Sequence, residues 1–91
     1  MVGISTVRPC EGSSGTEVLL DKPLGLDIGD CASRLQAAGL DVTDARALLV
    51  VTGNLRATLF PSGRMLVHTT DLVAARAFAA RVLELSGVDI G

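Results

Sequence analysis

Tryptophan and tyrosine are absent from this chain, and phenylalanine occurs twice, at Phe60 and Phe78. A core must therefore come from aliphatic packing, and a surface that stacks bases has few platforms to build on. The one histidine, His68, has no second imidazole with which to share a metal, and Cys10 and Cys31 sit in neither a CxxC pair nor a Cys/His cluster. Neither a disulfide framework nor a zinc site is indicated, so the cysteines read as separate thiols. Positive charge is also short: 8 Lys and Arg stand against 10 Asp and Glu, a net charge of −2, so no global field draws phosphate backbones. No run reaches the ~18 to 20 apolar residues of a membrane span. The opening MVGISTVRPCEG has neither a basic start nor a long apolar segment, which argues against a secretory signal and for a cytoplasmic site.

What the chain does have is aliphatic residues: 48% of its 91 positions are hydrophobic, mostly Leu, Val and Ala. A chain of this size forms one domain burying roughly 60 to 65% of its unfolded surface, enough for one core but not for a deep cleft. A complete cofactor-dependent enzyme is not expected, and no cofactor is implied.

Residues 1–15 carry Pro9, Gly12, Ser13, Ser14 and Gly15 and read as a flexible tail ahead of a domain over 16–87. Thr16 to Leu20 is a short strand, closed by Asp21-Lys22-Pro23 because proline cannot continue a ladder. A first helix starts at Asp27 or Gly29-Asp30 and runs to Ala38, with Gly39 at its C-terminal cap. Ile28, Cys31, Ala32 and Leu35 share one face, which makes Cys31 a core thiol. Leu40 and Val42 pack at the edge of this unit, and Thr43-Asp44 reads as a turn.

Ala47 to Thr52 is apolar on both faces and is expected as the central strand. Gly53-Asn54 predicts a tight hairpin with positive φ. Leu55 to Phe60 alternates, setting Leu55, Ala57 and Leu59 against Arg56, Thr58 and Phe60. Pro61 and Gly63 supply a second hairpin, returning along Arg64 to Thr69. Thr70 or Asp71 caps a last helix from Leu72 to about Ser86, with Leu72, Ala75, Ala79, Val82 and Leu83 on its apolar stripe and Phe78 and Leu85 at the flank. The expected fold is α+β in the order β-α-β-β-β-α, an antiparallel sheet with two helices on one face, a layout shared with TATA-binding-protein-like modules. The other face, bearing several of Arg56, Thr58, Phe60, Leu66 and His68, is left open as a docking surface.

The stretch LRATLFPSGRMLVHTTDLVAARAFAARVL resembles the small C-terminal domain of some bacterial ThiF/MoeB/HesA-type adenylyltransferases, the E1-like enzymes that activate ubiquitin-like sulfur carriers in thiamine and molybdopterin biosynthesis. Leu59-Phe60, Gly63-Arg64, Leu66-Val67, Thr69-Thr70-Asp71 and Ala75-Arg76-Phe78 carry the resemblance. It spans about Thr16 to Leu85 and is distinctive in the second half. A Gly-rich nucleotide loop and paired CxxC motifs are absent from this sequence. The resemblance therefore implies an accessory protein-interaction domain without adenylation activity of its own, whose partner is the adenylyltransferase or the sulfur carrier. A cysteine precedes this domain in such enzymes, and Cys10 occupies a similar place.

Three functions follow. The first is docking through Arg56, Phe60, Arg64 and His68, with Arg64 suited to a two-pronged contact with an anionic partner group. In the second, Cys10, beside Arg8, acts as a catalytic thiol in sulfur transfer. The third, a nucleic-acid-binding module, is disfavoured by the acidic balance and scarce aromatics. Edge-to-edge pairing of two sheets into a homodimer stays open.

Overall fold

The computed structural model describes residues 2–9 and 15–90. Strands β1 (Ile4–Pro9) and β2 (Thr16–Leu20) form a hairpin, and helix α1 (Ile28–Ala37) follows. Then come β3 (Asp41–Asp44), β4 (Leu49–Thr52), β5 (Arg56–Leu59) and β6 (Met65–Val67), a meander closed by helix α2 (Leu72–Leu85). All six strands belong to one sheet in the order β1-β2-β6-β5-β4-β3. Every pairing in it is antiparallel. This is the expected α+β class, with strands at both edges beyond the four expected.

Register sorts the side chains onto two faces. One row across the sheet runs Val7, Val18, Met65, Leu59, Leu49, and the next runs Thr16, Val67, Ala57, Val51, Val42. Val18, Met65, Leu59, Leu49, Val67, Ala57 and Val51 are wholly buried. They share one cluster with Cys31 and Leu35 of α1 and Ala75, Phe78, Ala79, Val82 and Leu83 of α2, so both helices cover the same face. Strand alternation and helical spacing thus converge on a single two-layer core.

The helix ends follow local chemistry. The Asp27 carboxylate accepts from the Asp30 N–H, and Asp71 accepts from Val73 and Ala74, satisfying amides that have no partner inside the helix. Phe60 and Arg64 close a three-residue hairpin loop in which Gly63 takes φ +92° and the Gly63 amide donates to the Phe60 carbonyl. A Cβ there would lie 2.5 Å from Leu20 Cδ1, so the turn both needs glycine's conformation and seats on the end of β2.

Five expectations change. Ile4–Pro9, placed in the flexible tail, is strand β1. A bulge between Ile4 and Thr6 brings Ile4 and Val7, three positions apart, to the same inner face, and this hides the strand from any test of strict alternation. Thr43-Asp44, read as a turn, is part of edge strand β3, which carries a single core-facing apolar residue, Val42. The apolar β4 lies next to the edge rather than at the centre. Its outer residue Val50 is only half-buried, and β6 and β5 hold the middle. The β4–β5 link spans Gly53 to Leu55, with no positive φ. Closeness rather than φ favours glycine there, since a Cβ on Gly53 would lie 2.7 Å from Leu40 Cδ2 and the leucine tip would have to shift. Leu72 is exposed while Phe78 is buried, because α2 is rolled so that its Phe78–Val82 side faces the sheet.

Candidate functional site

Among the described residues, nothing forms a layer over the face away from the helices. Its central row runs Arg8, Glu17, Leu66, Thr58, Val50, Thr43 across the sheet. Leu66, Thr58 and Val50 in the middle are half-buried. A neighbouring row places Arg56 opposite Thr52 and Thr52 opposite Asp41. Alternation along β5 puts Phe60 on this face as well, and alternation along β6 adds Arg64 and His68. The four residues expected to bind a partner, Arg56, Phe60, Arg64 and His68, therefore share one face.

They fall into two groups. At one end the Arg64 guanidinium lies 4.9 Å from the centroid of the Phe60 ring, a cation–π contact that holds the guanidinium plane. At the other end the His68 amide donates to the Arg56 carbonyl at 2.8 Å, tying these two backbones together. Phe60 lies four positions beyond Arg56 along the extended chain, roughly 13 Å. Leu66, Thr58 and Val50 lie between, forming an apolar strip with a basic group at each end.

Glu17 organises the Phe60 end, and it was not among the residues singled out from sequence. Its carboxylate is buried on the sheet surface between two arginines. Arg8 Nε donates to Oε1 at 2.8 Å and Arg64 Nε to Oε2 at 2.6 Å. The Arg8 hydrogen bond, helped by that from Arg64, outweighs desolvation and holds the carboxyl below its usual range. One buried acid between two partly exposed arginines leaves the cluster net positive. Along the paired strands of this face Arg8, Arg56 and Arg64 stand beside Glu17 and the edge residue Asp41, with Asp21 just past the end of β2. A charge within the otherwise uncharged strand Thr16-Glu17-Val18-Leu19-Leu20 was the available signal. Its partner Arg64 is 47 positions away, and only the β2–β6 pairing joins them.

Cys10, the expected catalytic thiol, lies outside the described residues. Cys31 is buried in the core as expected, and desolvation raises its pKa, with the nearby Ser86 working in the opposite direction. On the helical side, Leu55, Ala74, Ala77 and Phe78 line an apolar hollow of about 380 Å³. Among the described residues no helix is long and apolar enough to cross a membrane, and no cluster of three or more His, Cys, Asp or Glu could hold a metal ion. Compared with family models, curated proteins and solved structures, the chain has no match.

Proposed function

We propose that this chain is an accessory protein-docking domain of a sulfur-carrier activation system, serving a pathway of the thiamine or molybdopterin type. In this reading it binds the ubiquitin-like carrier, or the adenylyltransferase that activates it, through the outer sheet face and has no adenylating activity of its own. The observation that carries the reading is the uncovered strip of Val50, Thr58 and Leu66 bounded by Arg8, Arg56 and Arg64. It joins apolar surface to three arginines, two of which share the single carboxylate of Glu17, and so favours a partner surface that is apolar and acidic. The resemblance of the Leu55–Leu83 stretch supplies the identity of that partner.

The test is a titration of the 15N-labelled domain with each protein in turn, following the amides of Val50, Thr58 and Leu66 and, on the opposite side, Ala77 and Phe78. The expected result is saturable shifts confined to the first group. Shifts confined to the helical side, or none with either protein, refute the reading. Shifts on the outer face with duplex DNA but with neither protein would place the chain in the nucleic-acid class instead.

A further inference from the structure

Beside the Phe60–Arg64 end of the outer face lies a pocket of about 270 Å³, lined in part by Ser5, Leu20, Lys22, Ser62 and Arg64. From it we infer that the domain captures the C-terminal carboxylate of its partner, an inference that rests on the docking reading of the same face. Two residues that carry cations of different kind line the pocket. Lys22 is exposed and forms no ion pair among the described residues, so its ammonium is available as a point charge. Arg64 uses Nε on Glu17 and rests on Phe60, which fixes the guanidinium and leaves its terminal nitrogens for another acceptor. A guanidinium fork plus an ammonium matches a carboxylate, and the Ser5 and Ser62 hydroxyls at the same pocket add polar contacts.

The pocket is built rather than incidental. The Leu24 amide donates to the Ser62 carbonyl at 2.8 Å and the Leu26 amide to the Pro61 carbonyl at 2.9 Å, sewing the loop after β2 to the β5–β6 turn. Gly63 packs on Leu20 and Leu24 between them. Its size selects the kind of ligand. At about 270 Å³ it falls just short of the roughly 300 to 1,000 Å³ of whole-ligand sites, so it takes the end of a molecule. Leu19, Leu20 and Pro23 in its lining suit an aliphatic last residue next to the anion. Because Leu19 and Arg64 belong to both the pocket and the sheet face, a segment crossing the face can end there.

The test uses the peptide acetyl-Ala-Val-Ala-Leu with a free carboxylate, the same peptide amidated, and inorganic phosphate, each titrated into the 15N-labelled chain. The free acid is expected to shift the amides of Leu20, Lys22, Ser62 and Gly63 saturably, with the amidated peptide at least about tenfold weaker. Lys22→Gln should weaken the acid about fivefold, the upper range for one exposed ion pair, and leave the amidated peptide unchanged. Equal binding of acid and amide, or no binding of the acid, overturns the inference. Phosphate binding as tightly as the peptide also overturns it, assigning the pocket to small inorganic anions. The two readings fail separately. If a protein partner shifts Val50, Thr58 and Leu66 while the peptide does not bind, docking stands and the pocket assignment falls. If the peptide binds and neither protein moves those amides, the reverse holds.

Discussion

Alanine in place of Gly63 or Gly39 separates two costs that glycine usually hides together. Both residues have nearly the same backbone, φ +92° and +91°. The left-handed strain of a side chain, roughly 1 to 2 kcal/mol, and the opposing loss of unfolded-state freedom, roughly 0.4 to 1 kcal/mol, should therefore be alike. The surroundings differ. A Cβ on Gly39 meets nothing within 4 Å, whereas one on Gly63 lies 2.5 Å from Leu20 Cδ1 and 3.2 Å from Leu24 Cδ1. Overpacking adds about 1 to 3 kcal/mol, and the lower end applies because both leucines are half-buried and their tips can swing. Gly39→Ala should thus cost about 1 kcal/mol and Gly63→Ala about 2 kcal/mol. In melting temperature the difference is about 4 to 8 °C for a domain of this size. Urea unfolding of the two variants, followed by circular dichroism, measures it directly. If Gly63→Ala is no more destabilising than Gly39→Ala, the β5–β6 turn does not seat on Leu20 and Leu24, and the reasoning that makes the adjacent pocket rigid is wrong.

Other outcomes follow from the same contacts. Glu17 has a folded-state pKa below its unfolded value, so the unfolded chain binds the proton more readily and stability rises with pH through this group. Its contribution is complete above the unfolded value of about 4.3 and is lost as pH falls through the lowered folded value. Urea midpoints of Glu17→Gln should accordingly fall less steeply than wild type on acidification from about pH 6 to pH 2, and parallel curves would contradict the ion-pair geometry. Removing the α2 cap with Asp71→Ala strips acceptors from the Val73 and Ala74 amides and should cost about 1 kcal/mol, read from the thermal midpoint. Cys31 should resist iodoacetamide in the folded protein and react only when the chain opens, with the rate rising in step with urea; alkylation at the rate of an unfolded peptide would place this thiol outside the core.

Much of the fold was legible because its signals are local. An aspartate before an apolar run satisfies nearby amides whatever the rest of the chain does, which is why the helix starts could be narrowed to Asp27 or Gly29-Asp30 and to Thr70 or Asp71, of which the structure uses Asp27 and Asp71. The Phe60–Arg64 hairpin was readable for the same reason, since Pro61 and Gly63 restrict their own backbone. Alternation assigned Arg56 and Phe60 to the face opposite Ala57 and Leu59 before any strand was paired.

The edge strands and the heart of the site were not legible in this way. β1 and β3 have weak patterns of their own, one broken by a bulge and the other carrying Val42 alone, and each exists because a neighbouring strand offers a ladder. The order of the sheet, which moves the most apolar strand β4 beside the edge and sets β6 against β2, depends on which hairpin can reach which partner once the helices cover one face. That single long-range pairing lets Glu17 meet Arg64 and puts Lys22 across a pocket from Ser62. Contacts of this kind arise from the loop closures and shared burial of the whole chain, so no window of neighbouring residues contains them.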